Sequence, residues 1–215
     1  GRDEELLGAV AGLAVGEDGS IYVYDTQAPA LRRYAADGSF VATLGGVGGG
    51  PGEYANSDGG LAVLGDGRVV LRDPGNARFT LWNGDGSYDS EWLGRGGFFT
   101  GRPLYTDSSG DVYSTVIREV RDGERASPGS LWVERLVRIR PDGTVRDTLS
   151  LPAYEFEPPV IVARSGNGTS MNNVPFSPAF HWTLDATGRF IAGVGDRYAV
   201  HVHREDGTVP RLGRD

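Results

Sequence analysis

Leu13–Leu44, LAVGEDGSIYVYDTQAPALRRYAADGSFVATL, can be laid over Leu61–Leu93, LAVLGDGRVVLRDPGNARFTLWNGDGSYDSEWL. Each stretch reads strand, Asp-Gly turn, strand, loop, strand, Asp-Gly turn, strand. The turn glycines keep step: Gly19 and Gly67, like Gly38 and Gly86, stand 48 positions apart. A four-stranded unit repeating every 40–50 residues or roughly so is the signature of a β-propeller blade. Ile21 and Val23 alternate with Tyr22 and Tyr24, as in a strand whose two faces pack on neighbouring blades. Glycine in the turns accepts the positive φ that tight hairpins require.

Two fainter copies follow. Pro103–Leu151 holds LYTDSSGDVYSTV and LVRIRPDGTVRDTL with turns at Gly110 and Gly143, and Phe180–Leu212 has turns at Gly188 and Gly207. No helix signal exceeds one turn. The expected fold is therefore all-β, a propeller of four-stranded antiparallel blades in a single domain over 1–215. About four blades are expected, near 12–44, 60–93, 103–151 and 180–212. Four is the lower limit of closed propellers. The alternatives are a compact four-bladed ring or part of a larger one, which would leave an apolar blade face bare at each end.

Composition narrows the function. A net charge of −8 argues against nucleic acid and anionic membrane surfaces as partners. No apolar run approaches the ~20 residues that span a bilayer, so no membrane insertion is expected. The absence of cysteine removes disulfides, thiolate catalysis and Cys-ligated zinc. All 21 basic residues are arginine, which points to genomic base composition rather than to chemistry.

Blade topology sorts the connections by side. A–B and C–D turns lie on one side of the disc, B–C loops and D-to-A crossovers on the other. The first set is short throughout; the second holds Gly45–Gly60, Arg118–Gly129 and Pro152–Ala179. Long connections in a compact domain tend to be functional, so that face is the expected binding surface. Its candidate binding residues are Glu53, Tyr54, Arg118, Arg121, Arg125, Asn172, Asn173 and His181. The arginines would engage an acidic group, and Trp132, Tyr154 and Trp182 would supply aromatic surface. The polar run Ser165–Asn173 reads as a loop.

Each candidate has a structural alternative. The glycine-rich run ending at Glu53-Tyr54 can offer amides to an anion, or serve as a sharp crossover with Tyr54 packed beneath it. Asp25 and Asp73, at equivalent strand ends, can ligate a metal or accept backbone hydrogen bonds in their own loops; repetition favours the second. His201 and His203 read as inter-blade packing or surface, and His181, on an inner strand lining the channel, as a satisfied core histidine rather than a general base. No nucleophile elbow, HExxH or complete EF-hand loop is present.

DGSIYVYD at Asp18–Asp25 resembles the strand-B signature of the NHL-repeat family and the related bacterial six-bladed β-propellers. Asp73, Asn76, Arg78 and Phe79 match that family's D…N.R[IF] pattern, whose Arg braces the blade. GVGGGPGEY at Gly46–Tyr54 is similar to its inter-blade segment. Blade one departs from the pattern: Ala28 replaces the Asn, and the Arg moves to Arg32 or Arg33. The resemblance implies part of a six-bladed ring, exported in a bacterium to the periplasm or cell surface. It favours a non-catalytic propeller that recognises a protein, peptide or glycan and needs no cofactor. It also leaves a second possibility, a divalent-metal-dependent hydrolase or lyase of the gluconolactonase or peptidyl-hydroxyglycine lyase type. That site would lie at the channel mouth, near His181, Asn172 or Asn173, and Glu53.

Overall fold

The computed structural model describes residues 6–94, 100–120, 132–153, 156, 159–166, 168–204 and 206–213. Blade one is formed by β1 (Val10–Val15), β2 (Ile21–Asp25), β3 (Ala30–Tyr34) and β4 (Phe40–Leu44). A short parallel pair, β5 (Gly46–Val47) and β6 (Glu53–Tyr54), bridges to blade two. Blade two comprises β7 (Leu61–Val63), β8 (Val69–Asp73), β9 (Arg78–Trp82) and β10 (Tyr88–Leu93). Blade three comprises β11 (Tyr105–Thr106), β12 (Val112–Glu119), β13 (Trp132–Ile139) and β14 (Val145–Ser150). A hairpin of β15 (Val160–Ser165) and β16 (Gly168–Asn173) precedes blade four, which holds β17 (Phe180–Leu184), β18 (Phe190–Val194), β19 (Ala199–His203) and β20 (Arg211–Gly213). Each blade is a four-stranded antiparallel meander in chain order. The fold class is the one expected, an all-β propeller with four blades. The one helical element among the described residues is the 3-10 turn Pro74–Asn76.

The chain divides into two compact units: residues 1–117 with 135–149, and residues 118–134 with 150–215. Two cores fill the first. Tyr22, Tyr24, Leu31 and Leu44 of blade one meet Leu61, Val69, Leu71 and Trp82 of blade two. Ala62, Val70, Phe79, Leu81 and Trp92, on the other face of blade two, meet Leu104, Val112 and Ile139 of blade three. Blade two is thus sandwiched, and every residue of β8 and β9 is buried. The period-2 alternation does this: successive side chains serve opposite interfaces.

All eight turn glycines adopt φ between 79° and 92°. An aspartate directly precedes six of them and stands three positions before Gly110 and Gly188; each carboxylate accepts the amide two residues on, as Asp37 does from Ser39 and Asp85 from Ser87, both at 2.9 Å. These are Asx turns, in which the side chain mimics a backbone turn.

Two sequence expectations are corrected. Ser165–Asn173 is not a loop; Gly168–Asn173 pairs along Val160–Ser165, from Val160 with Asn173 to Ser165 with Gly168. The β-branched run Val160–Val162 supplies the strand propensity that its polar mate lacks. Nor is the insertion Arg118–Gly129 a loop from its first residue, since β12 continues to Glu119.

Candidate functional site

The glycine-rich crossover folds back on its own carboxylate. Gly50 N–H donates to Glu53 Oε2 at 2.7 Å, so the anion that these glycines receive is internal. Glu53 N–H in turn reaches the Gly50 carbonyl at 3.1 Å. Tyr54 is buried at 1% exposure, edge-on to Tyr24 (5.7 Å) and Trp82 (6.1 Å). Its hydroxyl accepts Leu31 N–H at 3.0 Å. Both therefore occupy the crossover role that was the structural alternative.

A clamp on blade two grips this crossover. Asp73, wholly buried, accepts the Ala55 and Asn56 amides at 3.2 Å and Asn76 Nδ2 at 2.7 Å. Asn76 Nδ2 also donates to the Gly48 carbonyl, and Arg78 to the carbonyls of Gly50 and Glu53. Blade one repeats the device without the asparagine. Asp25 accepts Gly8 N–H at 2.7 Å and Ala9 N–H at 3.0 Å, and Arg32 donates to the Leu6 carbonyl. The displaced arginine is thus Arg32. Arg33 turns instead to Ser20 and the Gly84 carbonyl. The Gly8 and Ala9 amides hold the Asp25 carboxyl down at about 2.

Inner strands of the first unit border a cavity of about 120 Å³, walled by Ala11, Gly12, Asp58, Gly59, Gly101 and Arg102 among others. Blades one and two nearly touch here, and a Cβ on Gly59 (φ +86°) would strike the Ala11 carbonyl. Behind the wall lies a charge pair that sequence reasoning missed. Arg72, fully buried on β8, pairs bidentately with Asp58 at 2.9 and 2.8 Å. It also donates to Ser114 Oγ of blade three and to the Arg102 carbonyl. Asp58 further accepts the Thr100 and Gly101 amides at 3.0 and 3.2 Å. A guanidinium within the apolar run VVLRD was the available signal, because a buried charge demands a partner.

The second unit gathers the end of the β12–β13 hairpin, the β15–β16 hairpin and blade four. Arg118 is half-buried near the end of β12, and Arg121 and Arg125 lie outside the described residues, as does Tyr154. Trp132, Ile161 and Val162 are all exposed. Asn172, also exposed, and Asn173 end β16, opposite Ile161 and Val160. On blade four, Trp182 is buried edge-on to Phe190 at 5.8 Å. His181 is exposed and borders an open groove of about 720 Å³ with Ile191, Gly193, Tyr198, Val200 and Leu212. Burial, and then the neighbouring His201, lower the pKa of His203. Among the described residues no three His, Asp or Glu side chains group as a metal site would require.

No family model matches this chain, and no curated protein matches its sequence. Solved structures do match. A protein designated as exported from Bacteroides fragilis aligns over 99% of this chain and 52% of its own, at 12% identity and TM-score 0.54. A member of the duf4221 family from Bacteroides vulgatus aligns over 99% of this chain and 59% of its own, at 10% identity and TM-score 0.52. Virginiamycin B lyase from Staphylococcus aureus aligns over 95% and 70%, at 13% identity and TM-score 0.50. At such identities the likeness is one of fold. The chain spans little more than half the length of the two Bacteroides proteins.

Proposed function

We propose that this chain is a non-catalytic binding propeller, working outside the bacterial cytoplasm, that holds a protein, peptide or glycan on its elaborated connections. One observation carries the reading. The two insertions that depart most from the blade pattern, after Ile117 and after Leu151, fall in one compact unit and present Trp132, Ile161 and Val162 to solvent. The tight connections, by contrast, are uniform Asx turns whose carboxylates are already engaged. Variation confined to one set of connections is what a recognition surface built on a rigid scaffold requires. Exposed aromatic and branched side chains are the usual anchors of such surfaces.

The export reading is supported by the designation of the Bacteroides fragilis neighbour. The finer family reading, an NHL-type repeat, is supported by the Asp73–Asn76–Arg78 clamp, which braces blade two as that family's pattern implies. Replacing residues 119–131 by an Asn-Gly turn tests the binding proposal. The variant is expected to keep its circular dichroism spectrum and lose partner capture in cross-linking pull-downs. Undiminished capture would reject this surface.

A further inference from the structure

Blade one carries, on the side away from blade two, a copy of a face that blade two keeps covered. Shifting by 48 positions superposes Leu13 on Leu61, Val15 on Val63, Ile21 on Val69 and Val23 on Leu71. In blade two these residues pack on Tyr22, Tyr24, Leu31 and Leu44 of the preceding blade. Leu61 is 3% exposed, whereas Leu13 is 64% and Val15 61% exposed; Ile21 is half-buried, and Val23 alone of the four is buried, at 6%. The entering chain follows suit. Asp25 holds Gly8 as Asp73 holds Ala55, which puts Leu7 where Tyr54 stands; Tyr54 is 1% exposed and Leu7 45%.

Blade four is bare on the opposite type of face. By turn register, Ile191, Val200 and Leu212 correspond to Val70, Phe79 and Trp92, which blade three covers. Instead of a neighbouring sheet they border the 720 Å³ groove, with Leu212 60% exposed.

We propose that both faces are seats for further blades of this repeat type, carried by the same polypeptide outside residues 1–215. Continuity with the interfaces already present specifies the occupants. The sheet before blade one must present apolar or aromatic residues at the positions of Tyr22, Tyr24, Leu31 and Leu44, and its crossover must run into Leu6–Leu7. The sheet after blade four must open with a short inner strand, as Leu104–Thr106 opens blade three, and offer branched residues at the positions of Val112 and Ile139. A charged or polar lining on either occupant would leave large apolar surface in water.

The reading frame is the first test: it must encode at least one further strand–turn–strand–loop–strand–turn–strand unit with that pattern, and a frame without one overturns the proposal. The second uses the absence of cysteine from this chain. Val15→Cys and Leu212→Cys are introduced singly into the full polypeptide, with Leu93→Cys, 83% exposed, as reference. In the monomer the first two thiols are expected to react about a hundredfold more slowly than the third, as for core sites that must open to be reached. Equal rates overturn the proposal. Protection that vanishes on dilution also overturns it, by assigning the faces to a second copy. Partner capture is read separately, so failure here leaves the binding surface untouched.

Discussion

Asp25 and Asp73, 48 positions apart, each fasten the chain entering their own blade: Asp25 through the amides of Gly8 and Ala9, Asp73 through those of Ala55 and Asn56. Both carboxylates are fully buried. Each ends the second strand of its blade, one residue before the B–C connection. The carboxylate can therefore cap the crossover only if the crossover runs directly beneath it. Blade order is thus written into a side chain, and the repeated aspartates are structural.

Removing either carboxylate takes the acceptor from several donors at once. Asp73→Ala leaves the Ala55 and Asn56 amides without their carboxylate and the Asn76 amide group with the Gly48 carbonyl alone. Hydrogen bonds to charged groups are worth about 1.5–3 kcal/mol each, though the losses do not sum. Urea unfolding is expected to show a loss of about 2–4 kcal/mol for Asp73→Ala, and one of similar size for Asp25→Ala, whose carboxylate also accepts the Gln27 and Ala28 amides. A loss below about 0.5 kcal/mol would contradict the clamp.

Fully buried Arg72 pairs bidentately with Asp58, whose side chain is 9% exposed at the cavity wall. Arg72→Ala leaves Asp58 facing only amides and is expected to cost about 3–5 kcal/mol. Because Arg72 also reaches Ser114 and the Arg102 carbonyl, part of that loss belongs to the joint between blades two and three. A double-mutant cycle with Asp58→Ala separates the pair. Additive losses in that cycle would show that the two side chains do not act together.

Much of this was readable in the sequence, and the reason is local. Positive φ at the eight turns selects glycine, so turn positions and strand order appear directly in the residue pattern. The structural reading of Asp25 and Asp73 follows from their repetition. What stayed hidden depends on contacts between distant segments. Asp58 and Arg72 sit on different elements, and nothing in NSDGG announces a buried carboxylate. Glu53 and Tyr54, read as binding candidates, have their partners in Gly50 and Leu31, which only the crossover brings together. The β15–β16 hairpin was concealed because SGNGTSMNN has loop composition and gains its strand by pairing with VIVARS.

Tyr54 can be dissected by two substitutions. Tyr54→Phe keeps the contacts with Tyr24 and Trp82 but leaves Leu31 N–H buried without its acceptor, at a cost of about 1–3 kcal/mol. Tyr54→Ala also empties the joint between blades one and two and is expected to cost about 3–5 kcal/mol. Equal and small effects in thermal unfolding would place the ring outside the core.

Acid should unfold this protein through its turns. The eight turn aspartates all have carboxyls held below the ordinary value of 3.8, Asp18 through the Ser20 amide, and Asp37, Asp85, Asp142 and Asp206 chiefly through the hydroxyl two residues on. Asp66, Asp107 and Asp185 are lowered despite burial, which by itself would raise them, because their hydrogen bonds outweigh it. Asp25, at about 2, adds the clamp of blade one. A carboxyl with a depressed folded pKa binds fewer protons folded than unfolded, so stability rises with pH across the gap. The contribution is complete above the unfolded value and disappears as pH falls through the folded one. Urea midpoints are therefore expected to drop steeply from about pH 4 towards about pH 2. Converting Asp37 and Asp85 to Asn should flatten that descent while lowering stability at neutral pH. An unchanged slope in the double variant would show that the turn carboxylates titrate as they do in the unfolded chain.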